Sequence, residues 1–160
     1  MEILVESPVI ILVPPGYPMA LLKERNGPRE LLISLNVISL NNLSIVVHKV
    51  ETPRPIIHQV YVHSLQMLGA DVQKVVIDDI VNGAFHSHVY LITQEGNAEA
   101  VDTHVTDALV VAVVRGCPIF VTEEVFKKNA EDIKSGRDSL SDAEAMRILE
   151  DIDETKLTKN

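Results

Sequence analysis

The chain has 160 residues, 46% hydrophobic and 23% charged, enough apolar material for one globular core. Cys117 is the only cysteine, which excludes an internal disulfide, and neither a leader pattern nor a run of about 18 apolar residues is present; a cytoplasmic protein with no membrane partner is expected. The formal charge of −9 opposes electrostatic binding of nucleic acid, because Lys and Arg supply the affinity for phosphate. Residues 1–121 carry a net −5 and residues 122–160 a net −4, so the body is acidic as well as the tail.

Residues 2–13 are aliphatic and broken at Ser7-Pro8, which predicts two short strands or one interrupted edge strand. A turn over residues 14–18 leads to strands over 19–25 and 30–35, joined at Asn26-Gly27-Pro28, so the first third reads as a small antiparallel meander. Leu40, Leu43, Val47 and Val50 then recur at helical spacing, with Asn36 as cap and an end near Glu51. The prolines flanking Arg54 hold the chain extended, and a second helix runs from Ile56 to Leu68, where Gly69 stops it.

Strands over 72–80 and 85–93 meet at Asn82-Gly83, the pair preferred in a two-residue type I′ hairpin. That loop sets Asp79 opposite His86 and Ile77 opposite His88, so Asp79, His86 and His88 share one face. Val and Ile on both faces of residues 72–92 imply that a second subunit covers part of this sheet, making a homodimer. A third strand spans 98–103. Thr106 then caps a buried helix over 107–115, Gly116 closes it, and residues 118–121 form a short strand. Charged helices over 122–134 and 141–153 complete the chain, giving a core domain over 1–121 and a C-terminal extension over 122–160. The fold class expected is α+β, an antiparallel sheet with duplicated strand-strand-strand-helix units.

Three segments in one order carry a resemblance: Thr52-Pro53-Arg54-Pro55-Ile56-Ile57-His58, then the stretch from Val75 through Asp78-Asp79 and Asn82-Gly83 to Phe85, then Thr106-Asp107-Ala108-Leu109 through Gly116-Cys117-Pro118 to Val121. In that order and spacing they resemble the bifunctional nuclease domain family, whose plant members are described as acting on DNA and RNA. The chain departs from the family at two places. Where the family shows an aromatic, an Ile-Gly pair and a Glu leading into its first helix, it has Ser34, Leu35-Asn36 and Ser39; where the family shows Ser-Arg-Pro-Ser-Asp, it has Thr103-His104-Val105-Thr106-Asp107. A polar Glu and a polar Arg are therefore missing.

The resemblance implies metal-dependent cleavage of phosphodiesters in DNA and RNA, with Mg²⁺ or Mn²⁺ held by carboxylates and water as nucleophile. Asp107, Asp79 and His58 are the catalytic candidates, and Arg54, His104 and Thr106 the substrate-binding ones. Asp79, His86 and His88 are the metal candidates, since two imidazoles two apart on a strand and a cross-strand carboxylate can converge on one ion. Each has a structural alternative: a cross-strand pair for Asp79 and His86, a helix-start carboxylate for Asp107, a cap for Thr106, a helix or subunit clamp for Arg54. The alternative function is a non-catalytic binding or assembly module, favoured by the acidity and by only three Tyr, three Phe and no Trp for base stacking.

Overall fold

The structure, a computed structural model, describes residues 1–135; the helix expected over 141–153 lies outside them. Ser7-Pro8 separates β1 (Glu2–Val5) from β2 (Val9–Val13), and the two strands enter different sheets. β2, β3 (Tyr17–Lys23) and β4 (Glu30–Ser34) form the antiparallel meander. It starts two residues earlier than the sequence suggests, because Tyr17 and Pro18 pair with Val13 and Leu12. Its inner face buries Ala20, Leu22, Leu31 and Ile33.

In α1 (Val37–Val47) the side chain of Asn36 accepts the Ser39 N–H at 2.8 Å, the cap that Asn favours. The helix ends short of residue 51, with Lys49 in a left-handed conformation at φ 51°. In α2 (Ile57–Met67) the Gln59 side chain accepts the Ile56 N–H at 3.0 Å, so one orphan donor of the first turn is satisfied.

β5 (Asp71–Val81) and β6 (Ala84–Ile92) turn at Asn82 and Gly83, at φ 52° and 79°, the left-handed pair that a type I′ loop demands. β7 (Ala98–His104) leads directly into α3 (Val105–Arg115), and β8 (Ile119–Thr122) into α4 (Glu123–Ser135). The five-stranded sheet has the order β1-β8-β5-β6-β7. β5 and β8 run parallel, so the sheet is antiparallel with one exception. Two strand-strand-strand-helix units, β2-β3-β4-α1 and β5-β6-β7-α3, make this an α+β fold built on a repeated plan, with α2 between them.

α3 packs on β5 and β6 and against α1 and α2. Ala108, Leu109, Val110, Val111 and Ala112 are all buried, as its uniformly apolar sequence demands. At about 1.5–3 kcal/mol for each large aliphatic side chain removed from water, this helix is the main organiser of the core. α4 contributes Val125 and Phe126 to the same core. Arg29 ties it down from the meander, bonding Glu24 and Glu123 and lying 4.6 Å above the Phe126 ring. Among the described residues no helix is long and apolar enough to cross a membrane.

The hairpin register departs from expectation beyond its first three pairs. Val81, Ile80 and Asp79 oppose Ala84, Phe85 and His86, but Ile77 opposes Ser87 and Val76 opposes His88. One extra residue, Asp78, is accommodated between Ile77 and Asp79 as a β-bulge, which shifts the pairs from Ile77 to Lys74 by one, and a second irregularity between Val72 and Lys74 shifts the last two pairs by one more.

Candidate functional site

Asp79 opposes His86 as expected, but the expected metal ligands are engaged by other partners. Asp79 accepts hydrogen bonds from the Lys128 ammonium at 2.6 Å and from the Ile80 N–H at 2.7 Å. Its carboxyl is held below the usual range, by the Lys128 hydrogen bond first and the Ile80 N–H next. His88 pairs instead with Asp78, Nδ1 to Oδ2 at 2.6 Å, while His86 is exposed and opposite His104. Among the described residues no three His, Cys, Asp or Glu side chains gather in a form that could hold a metal ion. The donor set therefore does not fit the Mg²⁺ or Mn²⁺ that the resemblance implies.

The start of α3 gathers four of the other candidates and one residue outside that set. α3 begins two residues earlier than expected, and its cap is His104, whose Nδ1 accepts the Thr106 N–H at 3.4 Å. Thr106 is thus a buried first-turn residue and not the cap. Its hydroxyl donates to His104 Nδ1 at 2.9 Å and accepts from the Ser39 hydroxyl at 3.1 Å, giving a relay Ser39 to Thr106 to His104. Both missing polar types map onto this relay, Ser39 at the Glu position and His104 at the Arg position. A neutral hydrogen-bonded chain occupies the place of two charged side chains, and every polar atom it buries is paired. Ser39 was visible in the sequence only as a departure from the family pattern; the contact across 67 positions made it part of the site.

Asp107, in the same turn, accepts from His58 Nε2 at 2.8 Å. His58 is 6% exposed whereas the Asp107 side chain is 53% exposed, so the imidazole is the buried support and the carboxylate faces outward. The Nδ1 of His58 is buried with no hydrogen-bond partner among the described residues. A ring that donates through Nε2 and leaves only an acceptor unfilled costs less than one that buries an unpaired N–H, which assigns the proton to Nε2. His58 therefore positions Asp107 and presents no free nitrogen to a ligand.

The pair borders a pocket of about 220 Å³ between α2, α3 and the β6-β7 ladder. Its walls are apolar, Tyr61, Val89, Val101 and Val111 among them, with His58, Thr103 and Asp107 as the polar points. Among the described residues no Lys or Arg lines it. Alternation along β7, which sends Val101 and Thr103 to the same side as Val89 and Ser87, was the sequence signal for this wall. A larger open groove of about 670 Å³ runs beside the α1 terminus, past Lys49, Glu51, Thr52 and Gln59, and none of the expected site residues lines it. Arg54 is exposed in the loop before α2, where its carbonyl accepts from the Thr52 hydroxyl at 2.6 Å. Its guanidinium makes no hydrogen bond or ion pair among the described residues, and it lines neither cavity.

Comparison with known proteins agrees with the order of the motifs. Two uncharacterized proteins from two strains of Mycobacterium tuberculosis are each 30% identical over 112 residues, 70% of this chain and 66% of theirs. The chain thus spans just under two thirds of the length of these relatives. The Bifunctional nuclease domain matches residues 20–134, from the meander through α4. With the repeated fold, the ordered motifs and that match over most of its length, this chain belongs to the bifunctional nuclease domain family.

Proposed function

We propose that this chain acts as a non-catalytic binding domain of its family, whose pocket beside Asp107 takes a basic side chain from a partner protein. The observation that carries the reading is the composition of that pocket: apolar walls, one outward carboxylate supported by His58, and no Lys or Arg among the described lining residues. A volume of about 220 Å³ is below the usual range for small-molecule sites and suits a single side chain. An aliphatic stem would lie against Tyr61, Val89 and Val101, with its cationic head on Asp107. A phosphate in the same position meets a like charge. At about 4 Å that repulsion is about 1 kcal/mol in water and about 4 kcal/mol near a protein surface, and among the described residues no Lys or Arg of the pocket lining offsets it. Ser39 and His104, which stand where the resemblance expects a Glu and an Arg and are joined through Thr106, point the same way.

The second reading is hydrolysis of DNA or RNA, favoured by family membership together with the His58–Asp107 pair at 2.8 Å. In it Asp107 is the catalytic carboxylate, and a divalent metal must be recruited by groups beyond those described. Asp107→Asn separates the two, because Asn keeps the shape and still accepts from His58 Nε2–H while losing the charge. The binding reading expects acetyl-arginine amide to shift the NMR signals of Tyr61, Val101 and Val111, and expects Asp107→Asn to abolish those shifts at a stability cost of about 0.3–1 kcal/mol. Chelator-sensitive degradation of single-stranded DNA or RNA that disappears in Asp107→Asn would overturn it.

A further inference from the structure

We infer that the open groove at the end of α1 is a binding site for a short apolar peptide with both termini free, its carboxylate on Lys49 and its ammonium on Glu51. At about 670 Å³ the groove is about three times the volume of the pocket beside Asp107 and lies within the roughly 300–1,000 Å³ of small-molecule sites. Its floor is aliphatic: Val46 and Val50 come from α1 and its exit, Val113 and Val114 from the last turn of α3. The polar groups come from the segment that links α1 to α2 and from Gln59 in the first turn of α2.

Local backbone chemistry puts the two charges there. The Val50 N–H bonds the Ile45 carbonyl at 2.9 Å, the closing bond of a Schellman exit, and Lys49 takes the left-handed position, at φ 51°, that glycine usually fills. A side chain there costs conformational energy, and in this chain it adds a cation to the groove. Beyond it residues 51–55 have no regular structure, and Pro53 and Pro55 fix two of their φ angles. Glu51 lines the same groove, yet neither Lys49 nor Glu51 forms an ion pair among the described residues. The N–H groups of Glu51 and Thr52 likewise have no acceptor among the described residues. Gln59 uses its carbonyl oxygen on the Ile56 N–H, which leaves its amide donors available, and the Thr52 hydroxyl, a donor to the Arg54 carbonyl, keeps its lone pairs.

Charge complementarity selects the occupant. A purely apolar ligand would desolvate an ammonium and a carboxylate without replacing their water, and a ligand with one charge would satisfy one of them and strand the other. A zwitterion satisfies both. A peptide adds what the remaining groups need, since its carbonyls and N–H groups can meet Gln59, Thr52 and the open backbone donors, while aliphatic side chains cover Val50, Val113 and Val114. None of this depends on what the small pocket binds, because the groove and that pocket share no lining residue.

The probe is the tripeptide Val-Ala-Val with free termini, titrated to about 10 mM against valine-methyl-labelled protein, a range that detects a Kd near about 1 mM. The methyl signals of Val50, Val113 and Val114 should shift. Acetylating the probe's amino end or amidating its carboxyl end should each weaken binding about fivefold, the worth of one exposed ion pair. Lys49→Gln should remove the penalty for amidation and keep that for acetylation, and Glu51→Gln should do the reverse. Both side chains are exposed, so the two variants should fold as the wild type does, checked by circular dichroism. No shift at about 10 mM, blocked peptides that bind as well as the free one, or shifts confined to Val101 and Val111 of the other pocket would each overturn the assignment.

Discussion

His58 and Cys117 show how burial sets the use of a reactive side chain. His58 is a catalytic candidate from sequence, but its only bonded nitrogen holds Asp107 and its other nitrogen is buried without a partner among the described residues, so it works through the carboxylate it supports. Which of the two residues faces outward depends on packing between α2 and α3, and residue type alone does not decide it. Cys117 follows the left-handed exit of α3 at Gly116, and burial pushes its thiol up to about 11. The thiolate is the reactive form, so at pH 7.5 alkylation by iodoacetamide should run roughly 300-fold slower than for an unhindered cysteine. Mass spectrometry over a pH series checks this, and the rate should rise about tenfold per pH unit below the titration point. A rate near that of free cysteine at neutral pH would show that the site opens.

Among the elements, the β5-β6 hairpin separates what local rules decide from what they leave open. Asn82-Gly83 predicts the loop and the three pairs beside it, because that backbone geometry is accessible to few other residue pairs. The bulge at Asp78 has no comparable signature in the sequence. It is stabilised by neighbours distant in the chain: Thr122, whose hydroxyl donates to the Asp78 carbonyl at 3.1 Å, and Lys128, which holds Asp79. The metal constellation inferred from sequence does not assemble among the described residues: Asp79 still opposes His86, but Lys128 holds its carboxylate and the bulged Asp78 takes His88. Gly83 has open space where a side chain would project, so Gly83→Ala tests backbone strain alone. It should cost about 1–2 kcal/mol in urea unfolding, with no change in the dependence on denaturant concentration. A cost near zero would mean that the loop has relaxed out of the left-handed conformation.

The whole molecule is acidic, and its ion pairs concentrate on tying distant elements together. Asp71 receives a bidentate contact from Arg115 at 2.6 and 2.7 Å, joining the start of β5 to the end of α3. The Arg115 hydrogen bond is the main cause that holds the Asp71 carboxyl below its ordinary range, with the Val72 N–H adding to it. Glu24 and Asp79 are lowered in the same way by Arg29 and Lys128. A depressed folded-state value stabilises the protein above the unfolded-state value and is lost as pH falls through the folded one. The urea midpoint should therefore hold between pH 7 and about 5 and decline below about pH 4. Arg115→Ala should lower the neutral-pH midpoint and flatten that acid decline, the effect being modest because both side chains are about one-third exposed. An unchanged acid profile in the variant would remove Asp71 from the account.

By itself the sequence determined the element order, the Asn36 cap, the hairpin loop, the burial of α3 and the family, because each rests on local periodicity, turn chemistry or a motif a few residues long. It also placed His58, His104, Thr106 and Asp107 among the residues of interest. Only the tertiary structure decided that His58 meets Asp107 across 49 positions, that Ser39 completes the relay through Thr106, and that Asp79 answers to Lys128 instead of to two histidines. Those contacts depend on which helix lies on which strand and on one bulged residue. Long-range packing sets both, and no local pattern in the chain encodes them.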